Sequence, residues 1–544
     1  MLIHLLLPST AQPDDRHAKG FTISTMPGQR LSQAIWLSGL VPPLPLCGGL
    51  GRCGRCRVRF TGIAPQPLPE EKEALSPREL TEGWRLACHH NAHDGVEGIT
   101  LELPPTSLFP GRMTETMPQD LCQAEAFLPE LTLAVDLGTT SVCWRARHAD
   151  TAALLAQGSD LNPQAGAGAD VISRLAVAQR PDGRRRLAQL VWNYLKNVIA
   201  GLRHQGLGHV TGICLAANTA MTDIFCDRDI RGLCAAPYKL SHHGDETVSL
   251  PGLPPVYIPP LPAPFVGGDA SAGLFSLLAT GAPRPLVLAD LGTNGELALL
   301  THEDQLWLTS VPLGPALEGI GPECGQLAGP GVITAFCLEP AGLQAIFHPY
   351  TDAKMATDMR TQAQGISATG YLSLLAILLR TGVLDSDGHF VTTVSMPLAR
   401  RLIKLMHPGT GEHPPCLHLP HGLWLSAADV EDMLKVKAAF ALALNVLLNQ
   451  ANCRATDVAS FFLAGALGKH ASSGDLVTLG LIPPAMEQHL HIIGNASLDG
   501  ADLLIQNIDK RDLLTRLCAR AHVLSLVDDP HFHKNYLRQM RFGA

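Results

Sequence analysis

The stretch CGGLGRCGRC places three cysteines within ten residues, and no other segment constrains this chain as tightly. Cys47, Cys53 and Cys56 form a C-x5-C-x2-C array, and Cys88 follows in WRLACHH. Thiolates are soft ligands, and four of them suit zinc or an iron–sulfur cluster. Structural zinc sites usually pair two short C-x2-C units. Here three cysteines share a loop and the fourth arrives far downstream, which is the spacing of a two-iron cluster, C-x4-C-x2-C with one extra residue. Gly48, Gly49, Gly51 and Gly54 allow the tight curl that aims backbone N–H groups at cluster sulfurs. A zinc site, or unrelated cysteines, is the alternative. The other ten of the 14 cysteines are scattered. The start, MLIHLLLPST, lacks a basic stretch and an A-x-A site, and is expected to be a first strand rather than an export signal. Scattered cysteines in such a chain are expected to be reduced, buried hydrophobes.

Residues 1–105 are expected to form a small α/β module. Strands at Leu2–Leu7 and Gly20–Ser24 precede a helical stretch, Ser32–Ser38, that Gly39 can terminate. Residues 106–130 form an expected linker in a proline-punctuated stretch, long enough to let the module move. From Leu131 strands and helices alternate. Pro251–Pro264 holds seven prolines and is expected to be a surface connection, since proline fits neither a helix interior nor a central strand. The longest apolar runs, such as Tyr371–Leu379 and Ala438–Leu448, are too short to span a bilayer. A net charge of −8 argues against a nucleic-acid partner.

The sequence also repeats itself. LAVDLGTTSVCW (Leu133–Trp144) resembles LVLADLGTNGEL (Leu286–Leu297): an apolar strand, Asp-Leu-Gly-Thr, then a second strand. Such a turn suits phosphate. Gly138 lets backbone approach an anion, Thr139 and Thr140 offer hydroxyls and N–H groups, and Asp136 can hold a Mg²⁺-bound water. Asp290, Gly292, Thr293 and Asn294 offer the same in the second copy. Each alone is equally well a tight β-turn; the pair predicts duplicated lobes clamping a triphosphate. FFLAGALGKH (Phe461–His470) breaks from a strand into glycine and suits a nucleobase, with a packing turn as the alternative. The glycine-dense Gly314–Ile333 is expected to be a functional loop, and neither Glu318 nor Glu323 takes a role from spacing. Lys435 and Lys437 on the helix expected at Ala427–Leu448 are taken as the solvated start of a buried helix. The histidines at 89, 90, 93, 531 and 533 are taken as chance clustering.

These motifs resemble two families at once. Residues 1–105 resemble ferredoxins with the longer first loop, which implies a β-grasp fold and one-electron chemistry. The hairpins and strand–turn resemble the acetate and sugar kinase, heat-shock-70 and actin superfamily, with ribonuclease-H-like lobes. The whole order is similar to the reductive activators of corrinoid proteins: cysteine loop, linker, DLGTTSV, NPQAGAGADVISRL (Asn162–Leu175), AANTAMTDIF (Ala216–Phe225), FVGGDASAG (Phe265–Gly273), LADLGTNGE, GPALEGIGPECG and LAGALG. The chain departs from that pattern at Ala217 and at Ala368 and Thr369, in segments usually richer in glycine.

The resemblance implies an α/β multidomain protein: a [2Fe–2S] ferredoxin-like domain at 1–105, a linker at 106–130, and lobes at 131–283 and 284–544. It implies an ATP-hydrolysing iron–sulfur reductase that returns a corrinoid from Co(II) to Co(I). Cys47, Cys53, Cys56 and Cys88 hold the cluster, Asp136 and Asp290 are catalytic, and Gly138, Thr139, Thr140, Gly292, Thr293, Asn294, Ala464 and Gly465 line a site for ATP with Mg²⁺. Expected partners are a corrinoid protein of a methyltransferase system and an upstream electron donor, with no nucleic acid and no membrane, in the cytoplasm; a homodimer is one expectation. The competing expectations are an ATP-driven donor to a non-corrinoid acceptor and a redox-sensing ATPase switch.

Overall fold

The computed structural model describes residues 2–7, 19–25, 28–44, 46, 49, 51, 54–92, 99–104, 113–116, 128–319, 321–348, 363–394, 396–409, 415–465, 471–526, 529 and 531–543. Cys47, Cys53 and His93 lie outside them. The chain divides into two compact units, Met1–Pro259 and Pro260–Ala544.

The first unit opens with a five-stranded sheet of β1 (Leu2–Leu7), β2 (Lys19–Ser24), β3 (Arg57–Phe60), β4 (Trp84–Leu86) and β5 (Ile99–Glu102), in the order β2-β1-β5-β3-β4. Strand alternation sets its core: Ile3 and Leu5 point inward with Ile23, Val58, Leu86 and Leu101, while Leu2 faces outward. Helix Leu31–Trp36 is short, and Gly39 follows at φ +73°. The fully buried Glu71 accepts hydrogen bonds from the amides of Leu68 (3.0 Å) and Leu86 (2.6 Å) and pairs with His90 Nε2 at 2.9 Å. Burial raises its pKa, but the bonds from His90, Leu68 and Leu86 outweigh that and hold the carboxylate below its usual range.

A seven-stranded sheet follows: β6 (Met113–Thr116), β7 (Glu130–Leu137), β8 (Ser141–His148), β9 (Leu154–Leu161), β10 (His209–Ala217), β11 (Glu246–Val248) and β12 (Val256–Ile258). Its order is β11-β12-β10-β7-β8-β9-β6. Two features differ from the expectations above. The stretch taken as linker contributes β6, which pairs antiparallel with β9 and covers what would otherwise be an open edge. The proline-rich stretch contains the buried β12, parallel to β10. Its prolines flank the strand and leave Val256, Tyr257 and Ile258 free to donate; Pro255 serves through its carbonyl, which accepts from Ile213 N at 2.9 Å.

The second unit holds a six-stranded sheet built on β13 (Leu286–Leu291), β14 (Asn294–Leu300) and β15 (Leu306–Pro312). Strands Ser460–Gly465 and Leu490–Ile492 extend it beyond β13, both parallel, and His522–Leu524 pairs with β15. Thus β7-β8-β9 and β13-β14-β15 are both antiparallel meanders whose first strand is flanked by two parallel strands. The repeat seen in sequence is a repeat of topology.

Helix Gly268–Ala279 packs in the second compact unit against helix Ala496–Gln506. Small residues bring these helices together: a Cβ on Gly500 would lie 1.8 Å from the carbonyl oxygen of Ala272. Helix Ala427–Gln450 is closed by a capping box between Ser426 and Asp429. Its Lys437 is buried rather than solvated, and Nζ donates to the carbonyls of Arg541 (2.6 Å) and Gln539 (3.2 Å), holding the C-terminal segment. Among the described residues, no helix is long and apolar enough to cross a membrane.

Candidate functional site

Cys56 and Cys88 come together because of strand register. Arg57 pairs with Leu86 where β3 meets β4, and the amide of Ala87 donates to the carbonyl of Cys56 at 2.8 Å. Both cysteines are buried. Gly49, Gly51 and Gly54 all take positive φ, as a tightly curled loop demands. His89 lies over Gly51, where a Cβ would be 2.2 Å from Nε2, and that buried nitrogen has no hydrogen-bond partner among the described residues. Two buried thiol-bearing residues beside a glycine-curled loop fit a thiolate-ligated cluster.

The first D-L-G-T hairpin joins β7 to β8, with Asp136 opposite Cys143 and, across the parallel neighbour, beside Ala216. Its three turn carbonyls are all engaged. Asn162 donates from Nδ2 to Gly138 O (2.7 Å) and from its amide to Thr140 O (2.8 Å). Arg174 Nη2 donates to Thr139 O. Asn162 and Arg174 are fully buried. Each of these carbonyls is thus held toward a donor inside the fold. The buried Thr140 hydroxyl has no partner among the described residues, which suits it to a phosphate oxygen.

The second hairpin joins β13 to β14, with Asp290 opposite Glu296 and parallel to Ala464. Gly292 N donates to Asn294 O at 3.0 Å, and Thr293 O accepts from Leu313 N (3.1 Å) and Gly314 N (2.9 Å). Leu291 pairs with Gly465, so the strand–turn expected to meet a nucleobase adjoins the second aspartate. The equivalence is close: Asp136 beside Ala216 in one sheet, Asp290 beside Ala464 in the other. Ala216 and Ala217 are therefore matched in the repeat by Ala464 and Gly465.

Residue patterns gave no role to several groups that hold these parts. Asn162 and Arg174 lie in the motif Asn162–Leu175, but only the fold shows which carbonyls they take. Asp429 anchors the glycine-dense loop by accepting from Glu323 N at 2.9 Å. Burial pushes its carboxyl up and raises the neighbouring Cys324 thiol to about 11. Glu323 accepts from Trp424 Nε1 at 2.9 Å while remaining exposed.

Fold and site together define an α/β protein with a ferredoxin-like N-terminal region and an ASKHA domain. Residues 131–279 match the RACo middle region, and residues 284–544 match the C-terminal domain of RACo, the ASKHA domain. The chain belongs to the RACo family, the reductive activators of corrinoid proteins. A corrinoid activation enzyme, RamQ, of Eubacterium limosum is 26% identical over 443 residues, covering 76% of this chain and 71% of that protein. The [Co(II) methylated amine-specific corrinoid protein] reductase of Methanosarcina barkeri is 24% identical over 303 residues, or 53% of this chain; the match spans about half (51%) of that relative. A component of the Na(+)-translocating NADH-quinone reductase of Chlamydia pneumoniae is 34% identical over 110 residues, 20% of this chain and 24% of that relative. A solved reductive activator for a corrinoid, iron–sulfur protein shares the fold over 99% of this chain and 98% of its own, with a TM-score of 0.66 at 20% identity.

Proposed function

We propose that this chain is an ATP-dependent reductive activator: it takes an electron from an upstream donor, holds it on a [2Fe–2S] cluster in a β-grasp module, and returns a corrinoid protein from Co(II) to Co(I). The observation that supports this is the presence of both halves of the chemistry in one chain. Buried Cys56 and Cys88 meet at paired strand ends, and topologically matched sheets each carry an Asp-Leu-Gly-Thr hairpin.

When bound, a two-iron cluster supplies one electron at low potential. Cys47, Cys53, Cys56 and Cys88 would hold it, with the Ala87–Cys56 hydrogen bond fixing the fourth ligand's strand against the loop. Asp136 and Asp290 are assigned to the Mg²⁺ shell of ATP. Gly138, Thr139, Thr140, Gly292, Thr293 and Asn294 are assigned to its phosphates, with Thr140 giving a hydroxyl that has no partner among the described residues. Ala464 and Gly465 are assigned to the nucleoside. Reduction to Co(I) is uphill, and nucleotide turnover can drive it by favouring a state that binds the partner differently.

The test is anaerobic. Co(II) corrinoid protein, a chemical reductant and this protein are mixed with and without Mg-ATP, and Co(I) is followed by absorbance. Co(I) should accumulate only with ATP; equal rates without it would mean a plain electron carrier.

A further inference from the structure

The segment Asn162–Arg174 touches two things at once. On one side it holds the nucleotide hairpin, with Asn162 on Gly138 O and Thr140 O and Arg174 on Thr139 O. On the other it is the seat of the ferredoxin-like module. Gly166 lies so close to Trp36 that a Cβ on it would be 2.5 Å from the Trp36 Cβ and 2.9 Å from its backbone carbon. Leu37 is buried in one cluster with Ala167, Val171, Leu175 and Leu187. Arg186 donates from Nε to Leu37 O at 2.7 Å and from Nη2 to Ser38 O, satisfying carbonyls at the end of helix Leu31–Trp36.

Between these faces the segment is braced internally. The fully buried Gln164 donates from its backbone amide to Asn162 Oδ1 (2.8 Å) and from Nε2 to Leu187 O (3.0 Å), next to Arg186. Arg174 Nε also bonds Gly168 O at 3.3 Å. A densely bonded, buried segment moves as a piece rather than bending residue by residue.

We propose that Asn162 and Arg174 are positioning residues for the phosphate hairpin, and that through their segment nucleotide binding and seating of the ferredoxin-like module on the middle region strengthen each other. The proposal rests on the nucleotide reading of the hairpin given above. Its logic is linkage. If the seated module orders the segment that presents the hairpin, Mg-ATP binds the seated state better, and by reciprocity Mg-ATP favours seating. A cycle of binding and release would thereby alternate the cluster between a held and a released position.

The experiment uses the full chain. Calorimetry measures Mg-ATP affinity in the wild type, in Arg186→Ala and in Gly166→Ala, neither of which touches the hairpin. Hydrogen exchange reports on the peptide spanning 31–38 with and without Mg-ATP. Mg-ATP should slow exchange there in the wild type. Both variants should speed it and weaken Mg-ATP binding about fivefold or more. Arg174→Lys should weaken Mg-ATP binding while Asp290→Ala leaves the exchange of 31–38 without nucleotide unchanged. The proposal is overturned if Mg-ATP binds the wild type but exchange does not change, if both variants release the module at unaltered affinity, or if neither variant changes exchange. Failure of the wild type to bind Mg-ATP would instead remove the nucleotide reading itself, and this inference with it.

Discussion

Gly465 stands against Asp290 so closely that a Cβ on it would lie 2.3 Å from Oδ1, with Leu291 O only 2.6 Å away. Its φ of +91° is equally closed to side chains. The strand–turn assigned to the nucleoside and the aspartate assigned to Mg²⁺ thus share one contact, fixed by parallel register.

Gly465→Ala should therefore displace Asp290 and strain the turn at once. Mg-ATP binding should fall by an order of magnitude or more, with a stability loss of about 1–3 kcal/mol. Calorimetry and thermal unfolding check this. The iron content of the variant should equal that of the wild type, since the cysteine loop belongs to the other unit.

Cys88→Ser should lose most of the cluster, because a hydroxyl is a much poorer iron ligand than a thiolate. The wild type should carry about two irons per chain and be reddish-brown. Iron analysis and visible absorbance decide it, and a single zinc in place of iron would overturn the assignment. Mg-ATP binding should survive in the variant.

Lys437 predicts a pH dependence of stability. Burial lowers its ammonium pKa from 10.5 to about 8. Between those values the unfolded chain holds a proton that the folded chain has released, so stability rises with pH across that window. Below it both states are protonated and the folded state bears the whole cost of a buried charge. Denaturant unfolding near pH 8 and near pH 10.5 should show the wild type gaining on Lys437→Met by as much as ~3 kcal/mol. Parallel profiles would place Lys437 in a more solvated setting.

Gly500→Ala tests the small-residue helix crossing of the second unit. The new methyl would meet the Ala272 carbonyl at 1.8 Å, and backbone has nowhere to yield except by parting the helices. A loss of about 1–3 kcal/mol is expected. In thermal unfolding, Gly494→Ala is the control, since nothing lies within 4 Å of its added Cβ.

What the sequence made legible was local. Both Asp-Leu-Gly-Thr hairpins could be placed because a buried strand, a turn signal and a second strand fall within a dozen residues, and they pair as expected from Asp136 to Cys143 and from Asp290 to Glu296. The proline-rich stretch misled because the prohibition on proline applies residue by residue: Val256–Ile258 contains none, and prolines on either side do not prevent a short strand. Long-range packing was illegible. Nothing about Gly166 forecasts Trp36, 130 positions away, and nothing about Arg174 forecasts the carbonyl of Thr139. Asp429 hides similarly, as a helix-capping residue whose second partner, Glu323, comes from a distant loop.

The pairing of β6 with β9 limits how far the ferredoxin-like module could move from the middle sheet. With β6 fastened to the middle sheet, the connection ahead of it is the nine peptide links from Pro104 to Met113. Fully drawn out, these would reach about 30 Å. An unseated module therefore stays on a short leash, within roughly its own diameter of the sheet that anchors it. On the proposed reading, an electron would leave the module only to an acceptor brought inside that radius, which makes docking of the acceptor on this chain the step that sets the range.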